Sequence, residues 1–458
     1  MNPIEVIQIG ALVIFGAPIA LFVLLAGPTL MGRPISERLT SLLLNTTFSI
    51  STLACLMVAV TMVTHDLTRV EVSIGTWYES GPYAFHFGLL IDRLSLPFAG
   101  LTAVLFGLTT AFSHRYMHRE SGYNRFFVLV ALFAAGLQLI VLGDSIQLLI
   151  IGWECVGLSS VLLIAFFHDR PAPVQNGFRT FVVYHATDIG LLCAAGLIHH
   201  AVGDGTYAEF LGTSWPSSAS QIPAGKATFI LLLILISVAG KSAQFPFSGW
   251  LPRAMEGPTP SSAIFYGALS VHTGAFLLLR LSPILDQSPT ASSVIILLGL
   301  MTALHATLVG RVQTDIKSSL AYATLTQVGL ITVEIGFGLR WLPLLHITGH
   351  ACIRSLQFLR APSFLSDFRR LGNATGHGEK QRGWHLERLI PDSFQTRLYR
   401  YAIERGNLDG WLNALVVHPF KRAFGFVENI DHAWCDWIGG KPESNHHGAT
   451  VDRGGQDV

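Results

Sequence analysis

Ionisable residues lie inside the long apolar stretches of this sequence, where a charge is costly. Insertion scales place the cost of a charge at the centre of a membrane helix at about 2.5 to 3.5 kcal/mol, so each such residue requires a reason. Glu154 lies in GWECVGLSSVLLIAFF, Asp188 in YHATDIGLL and Lys241 in VAGKSAQFPFSGWLP. The other members of the set are His185, His272, Lys317, Glu334, His346, His350 and Arg354. Chains of acids, bases and histidines in an apolar interior are typical of proton relays, and we predict one here.

The spacing of these residues indicates which of them share a helix face. His346, His350 and Arg354 are spaced i, i+4, i+8 and therefore stack along one face, and His185 and Asp188 at i, i+3 also share a face. A single polar residue such as His305 is more often a structural group that bonds a neighbouring helix. A stripe of three favours a functional role, and we predict that Glu334 joins it in a polar path towards the cytoplasmic face.

Lys241 precedes a residue that interrupts helices. Pro246 removes a helical hydrogen bond and clashes with the preceding turn, so the apolar span that contains Lys241 is predicted to be broken. Broken helices at membrane depth mark ion pathways in transporters. Desolvation favours the neutral form of a buried lysine and a nearby carboxylate such as Glu154 favours the charged form, so the proton on such a lysine could be exchanged. The alternative, a lysine that reaches the membrane surface, fits poorly with the apolar sequence before it.

The elements that carry these residues are predicted from composition and from the length of the apolar blocks. The chain is 50% hydrophobic and 13% charged, whereas a soluble domain is about 25% charged. Blocks of about 18 or more apolar residues can cross a bilayer as helices, and long continuous blocks favour helices over the short alternating strands of a barrel. We therefore predict an all-α polytopic membrane protein with about eleven spans, the seventh broken. The spans are placed near residues 8–30, 41–63, 88–112, 125–143, 145–167, 179–201, 227–247, 261–283, 292–310, 318–338 and 343–362.

Charge in the loops predicts the orientation and the domain organisation. Arginine and lysine concentrate in one alternating set of loops, which places the N-terminus outside and the C-terminus in the cytoplasm. Residues 1–362 are predicted to form the transmembrane domain, 363–440 a cytoplasmic amphipathic tail and 441–458 a disordered C-terminus. The tail either lies on the membrane or on the transmembrane domain, or presents a face to a partner.

Composition also argues against other classes of function. A net charge of +1 without a basic run among aromatics gives no reason to expect nucleic acid binding. The five cysteines have no metal-ligand spacing. We expect no cofactor or metal in this chain and no catalysis by it.

Four motifs in order resemble the antiporter-like subunits of respiratory complex I and of multisubunit sodium/proton antiporters. They are GWECVGLSSVLLI, GKSAQFPFSGWLPRAMEGPTPSSAI, VQTDIKSSLAYATLTQVG and HITGHACIRSLQFL. The resemblance implies that Glu154 and Lys241 form a central proton-translocating pair. The chain departs from the family in having Arg354 where a lysine is usual and Arg253 where LPDAM has aspartate. It also turns polar after residue 362, where the second inverted repeat should continue, so we expect an antiporter-like fold truncated in that repeat.

The segment RSLQFLRAP, the truncation and the tail resemble the membrane subunit (DabB) of the DAB inorganic carbon transporters. That resemblance implies a bacterial inner-membrane, proton-conducting subunit that couples a cation gradient to CO₂ hydration to bicarbonate. A cytoplasmic DabA-type partner similar to carbonic anhydrase would hold the zinc. The alternatives are a shortened proton-translocating subunit of a complex I-like oxidoreductase or sodium/proton antiporter, and a non-conducting membrane anchor. Carboxylates serve both H⁺ and Na⁺, so the coupling ion stays open.

Overall fold

Helices dominate the chain, as the apolar blocks predict. The computed structural model describes residues 2–80, 83–203, 205–212, 215–216, 219–375 and 391–439, and it is 79% helical. Within these residues, nine helices are long and apolar enough to cross a membrane. Two more helices, at 316–336 and 341–375, coincide with the last two predicted spans but are not among those nine. The prediction of an all-α polytopic membrane protein is confirmed.

The first half of the membrane domain is a series of long helices. Helix α1 begins with a capping box, in which the Asn2 side chain accepts from a first-turn backbone N–H and the Glu5 side chain caps the Asn2 backbone in return. The helices are α1 Pro3–Leu30, α2 Glu37–Thr64, α3 Ser95–Tyr116, α4 Tyr123–Leu142, α5 Ile146–Ile164, α6 Pro171–Val202, α7 Tyr207–Leu211 and α8 Ala224–Lys241. Helices α5, α6 and α8 pack side by side and carry the first group of ionisable residues.

A β-hairpin separates α2 from α3, and the sequence-based prediction omitted it. Strand β1 (Arg69–Ser80) pairs antiparallel with β2 (Tyr83–Asp92). The third span was predicted to start at residue 88, but it starts at Ser95 because Leu89, Leu90 and Ile91 are buried strand residues. The hairpin is anchored where β2 ends, since Asp92 forms a buried ion pair with Arg280. One of its two contacts, from Arg280 Nη2 to Asp92 Oδ1, is 3.2 Å long.

The predicted break near Pro246 is present. Helix α8 ends at Lys241 rather than near residue 247, and the next helical residue is Trp250. The chain then runs through short pieces: α9 Trp250–Arg253, a 3₁₀ turn Ala254–Glu256, α10 Thr259–Ser261, a π-helical segment Ser262–Leu269, a 3₁₀ turn Ser270–His272 and α11 Thr273–Arg280. The span Thr259–Arg280 is fully enclosed by its neighbours, so this irregular stretch forms the centre of the domain.

The remaining helices enclose this central stretch and then lead into the tail. They are α12 Ser282–Leu285, α13 Pro289–Gly310, α14 Ile316–Gly336, α15 Trp341–Thr375, α16 Asp392–Ile403, α17 Leu408–Leu412 and α18 His418–Ile438. Helices α13 and α14 pair closely, with Gly299 and Gly329 facing each other's backbone. The predicted disordered segment 441–458 lies outside the described residues. The tail helices contact α6 and α13, so the tail lies against the membrane domain.

Candidate functional site

Lys241 occupies a closed, polar-lined position where α8 ends. Its side chain is 0% exposed, and its Nζ donates to the backbone carbonyl of Trp153 at 3.1 Å. Nζ also lies 4.2 Å from the ring centroid of Tyr184 and 5.2 Å from that of Trp153. Aromatic faces attract a desolvated cation. The end of α8 therefore holds the ammonium group between two rings and a carbonyl.

The carboxylate that faces Lys241 is Asp188, on α6. Asp188 Oδ2 lies 3.7 Å from Lys241 Nζ, while Asp188 Oδ1 accepts from the indole of Trp153 at 2.8 Å. The sequence-based pairing of Lys241 with Glu154 is not the contact in this structure. Glu154 instead lies 3.8 Å from His185, and both of these side chains are 40% exposed. The pairing differs because Asp188 sits on the face of α6 that packs on α8, whereas Glu154 and His185 face outward.

A second group surrounds the irregular centre of the domain. His272, in the 3₁₀ turn, donates from Nδ1 to the carbonyl of Ala268, and its Nε2 lies 3.2 Å from His350 Nδ1 on α15. The Nε of Arg354 lies 3.4 Å from His350 Nε2. His272, His350 and Arg354 are at most 9% exposed. The predicted i, i+4 stripe thus contacts a histidine on another element, next to a π-helical segment of the kind often found at functional sites.

Glu334 and His346 continue this group towards an open cavity. His346 Nδ1 lies 2.8 Å from Glu334 Oε1, and its Nε2 lies 3.0 Å from Gln327 Oε1. The cavity has a volume of about 370 Å³ and is lined by His346, His350 and Arg354 among others. Hydrogen bonds thus join Glu334 to His346 and His350 to Arg354, and the rings of His346 and His350 lie between these pairs with their centroids 6.5 Å apart. The role of this predicted path in conduction stays a prediction.

The two groups do not touch directly, and one predicted residue stands apart. Among the described residues, no hydrogen bond joins Lys241 to His272. Lys317, on α14, donates to the carbonyl of Met255 at 3.3 Å rather than to a member of either group. Within the described part of the chain, no cluster of three or more His, Cys, Asp or Glu residues could hold a metal ion.

Sequence reasoning missed a third group, in which the tail meets the helix break. Asp409 Oδ1 accepts from Arg179 Nη2 at 3.0 Å, and Asp409 Oδ2 accepts from Arg253 Nη2 at 2.7 Å. The Tyr401 hydroxyl lies 2.9 Å from His305 Nδ1. The signal in the sequence was the position of Arg253 in LPRAM, and the pairing residues lie 96 or more positions apart.

Comparison with known proteins places this arrangement in a family. The family model described as "NADH:quinone oxidoreductase/Mrp antiporter, TM" matches residues 143–376, which is just over half of the 458 residues. The chain belongs to this family. A second model, "NADH-Ubiquinone oxidoreductase (complex I), chain 5 N-terminus", matches residues 77–127. All ten predicted pathway residues lie within the antiporter match.

Relatives within the antiporter family are longer than this chain. It is 32% identical over 379 residues to NADH-quinone oxidoreductase subunit L of Neisseria meningitidis, covering 80% of this chain and 53% of the relative. It is 33% identical to NADH-ubiquinone oxidoreductase chain 5 of Cryptococcus neoformans, covering 66% of this chain and 46% of that relative. The chain therefore spans about half the length of the curated relatives it matches.

Solved structures share the fold. A chain of the Mrp complex from Dietzia sp. DQ12-45-1b superposes with a TM-score of 0.65 at 29% identity, covering 77% of this chain and 37% of that one. A chain of an archaeal membrane-bound sulfane sulfur reductase superposes with the same TM-score at 20% identity, covering 77% of this chain and 70% of that one. The second likeness concerns the fold alone. Both structures are of complexes, and the second is an archaeal respiratory membrane complex.

Proposed function

We propose that this chain is a proton-conducting subunit of a multi-subunit membrane complex, of the NADH:quinone oxidoreductase or Mrp antiporter kind. The observation that carries the proposal is the fully buried Lys241 at a helix end, 3.7 Å from Asp188. A structural ion pair has no need of a broken helix. The comparisons favour this alternative over the more specific inorganic-carbon hypothesis.

The geometry suggests how protons move. A protonated Lys241 is held by Asp188, by the Trp153 carbonyl and by two aromatic faces, and all of these contacts weaken when Nζ is neutral. Proton transfer between Nζ and the Asp188 carboxylate therefore changes which groups hold the lysine. On the other side of the domain, Arg354 stays protonated and acts as a fixed charge, while His350 and His272 can relay protons through their two ring nitrogens.

Partial exposure of Glu154 and His185 supports a neighbouring subunit. Both side chains are 40% exposed although they lie on membrane-spanning helices α5 and α6. A carboxylate that faces lipid is expensive. We infer that another subunit covers this edge and exchanges protons with Glu154 across it.

Proton flux into liposomes tests the proposal. The full chain is purified in mild detergent with whatever proteins accompany it, reconstituted, and driven by an imposed membrane potential while an internal dye reports pH. Lys241→Met removes the exchangeable proton, and the flux should fall by about 10²-fold or more, as for loss of a positioned acid or base. Lys226→Met, in the exposed first turn of the same helix, is the matched control and should conduct normally. Equal flux in both variants would refute the role of Lys241 and favour a non-conducting anchor.

The finer hypothesis is that the complex accumulates inorganic carbon with a DabA-type zinc partner on the cytoplasmic face of a bacterial inner membrane. One observation favours a soluble partner: α18 leaves Phe424, Trp434 and Trp437 at least 58% exposed. Exposed aromatic clusters of this kind usually mark interfaces. Phe420, on the same helix, is partly buried and packs against the membrane domain near Phe181.

Two measurements test the inorganic-carbon hypothesis. A strain that needs high CO₂ should grow in air when it carries this chain together with its partner gene, and the partner should co-purify with the chain. Replacing Trp434 and Trp437 with Ser should abolish recovery of the partner while leaving the chain in the membrane. Recovery of oxidoreductase or antiporter subunits instead would establish the broader alternative.

A further inference from the structure

The tail closes over the helix break on the face that carries Arg253. Asp409 bridges Arg179 on α6 and Arg253 on α9, so the tail is joined both to the helix that follows the break and to a neighbouring membrane helix. A Cβ at position 249 would lie 2.0 Å from Asp409 Oδ1, so the absence of a side chain at Gly249 is what lets the carboxylate approach. The tail is therefore seated in the break by a specific fit.

A chain of hydrogen bonds runs from the break to the tail through His305. Ser248 Oγ lies 3.0 Å from His305 Nε2, and the Tyr401 hydroxyl lies 2.9 Å from His305 Nδ1. Ser248 and His305 are at most 3% exposed, whereas Tyr401 is only half-buried. Both imidazole nitrogens thus face hydroxyl groups, which can donate or accept. The arrangement joins a buried serine to a half-buried tyrosine of the tail.

The inner end of this chain lies on the segment that follows Lys241. Ser242, Gln244 and Ser248 lie on the non-helical segment that follows Lys241, and each is at most 1% exposed. Gln244 donates to Thr332 at 2.6 Å, while Ser242 Oγ has no hydrogen-bond partner among the residues that the structure describes. Buried polar side chains without a partner are rare and call for an explanation. Proton passage along this segment supplies one.

We propose that Ser248, His305 and Tyr401 form a proton route between the helix break at Lys241 and the aqueous surface beneath the tail. The route deepens the proposed function and rests on it. In one passage, His305 Nε2 takes the hydroxyl proton of Ser248 as Ser248 regains one from the break. His305 Nδ1 passes its proton to the Tyr401 oxygen, and Tyr401 releases its own to water. Every group ends with its original number of protons, and rotation of the hydroxyls with a tautomer change resets the chain.

A purely structural role for Tyr401 and His305 makes the opposite prediction about substitutions. If Tyr401 only anchors the tail, Tyr401→Phe keeps the shape of the ring and should be tolerated better than Tyr401→His. If Tyr401 carries protons, Tyr401→His should conduct better than Tyr401→Phe, because imidazole has a pKa of about 6.5 and exchanges protons near neutral pH. His305→Gln keeps one donor and one acceptor but cannot shuttle a proton between them.

The experiment uses the full chain with its accompanying proteins in liposomes, with the flux of Lys241→Met as the reference for lost conduction. We expect Tyr401→Phe and His305→Gln to lower proton flux by about 10²-fold, the lower range for a positioned proton-transfer group. Tyr401→His should recover part of the loss. Tyr399→Phe, on the same helix but 61% exposed, is the matched control and should conduct as the unsubstituted chain does.

The outcomes separate the route from the function on which it rests. Normal flux in Tyr401→Phe and His305→Gln, with none in Lys241→Met, would overturn the route and leave the proposed function intact. Better conduction by Tyr401→Phe than by Tyr401→His would also overturn it, in favour of anchoring. An unsubstituted chain that conducts no better than Lys241→Met would overturn both.

Discussion

Gly157 offers a way to move Lys241 without changing any charge. Gly157 lies on α5, and a Cβ built there would lie 2.7 Å from Lys241 Nζ and 3.5 Å from Tyr184 Cδ2. The first distance is shorter than any real contact of a Cβ atom, so Nζ must move. Because Lys241 is fully buried, its Nζ cannot move into solvent. We expect the shift to break its 3.1 Å hydrogen bond to the Trp153 carbonyl.

The expected effect of Gly157→Ala follows from that lost contact. A hydrogen bond to a charged group contributes about 1.5 to 3 kcal/mol. Since about 1.36 kcal/mol corresponds to a factor of ten in rate, proton flux should fall about 10- to 100-fold if this bond positions Nζ for transfer. Flux into liposomes, normalised to the amount of protein inserted, measures the change. The fold itself should persist, because alanine favours a helix over glycine by about 0.5 to 1 kcal/mol.

Gly196→Ala is the control for Gly157→Ala. Gly196 lies on membrane helix α6, and a Cβ there meets nothing within 4 Å. It should therefore conduct normally and melt no lower than the unsubstituted chain. If Gly157→Ala also conducts normally at equal protein level, the position of Nζ between Trp153 and Asp188 does not limit conduction, and the reasoning from geometry fails.

Two further predictions concern stability. Asp92→Asn should destabilise the protein by about 3 to 5 kcal/mol because it leaves Arg280 buried without its charge partner. Thermal melting in detergent measures this loss, and an unchanged melting temperature would show that the pair is dispensable. Burial raises the pKa of Asp92, but Arg280 and the backbone N–H donors outweigh burial, so the pKa is lowered. The stability that the ionised Asp92 contributes should therefore persist above about pH 4 and be lost as the pH falls through the lowered pKa. Gly190→Ala would place a Cβ 2.3 Å from the Leu233 carbonyl and should cost about 1 to 3 kcal/mol by forcing α6 from α8, whereas Gly16→Ala, with open space around it, should leave the melting temperature unchanged.

Sequence patterns predicted features whose signal is local. The helical class followed from long apolar blocks, and the break after Lys241 followed from Pro246 a few residues later. The hairpin was missed because its second strand ends in the apolar run Leu89–Ile91, which reads as the start of the next helix. Periodicity alone cannot tell whether a short apolar run forms a strand or part of a helix.

Contacts between distant segments could not be predicted in the same way. The i, i+3 spacing placed His185 and Asp188 on similar sides of α6, yet it could not say which of them faces α8 and which faces outward. That choice depends on the rotation of α6 against its neighbours, which is set by packing along the whole helix. The pairing of Lys241 with Asp188 rather than Glu154 is therefore a property of the fold.

The position of Asp409 changes how the tail should be tested. The composition of the sequence changes near residue 362, but ion pairs cross this boundary. Arg179 and Arg253 of the membrane domain share the carboxylate of Asp409 in the tail. Arg179 is only 11% exposed with the tail in place, and removing the tail would take away both its ionic partner and part of its cover. The contacts of Asp409 hold α6 and α9 together, and a shorter chain would lose them. A chain ending at Arg370 would thus lose stability whether or not the tail binds a partner, and its failure to bind one would prove nothing. Point substitutions on the exposed face of α18, at Trp434 or Trp437, leave the Asp409 contacts in place and isolate partner binding from the integrity of the membrane domain.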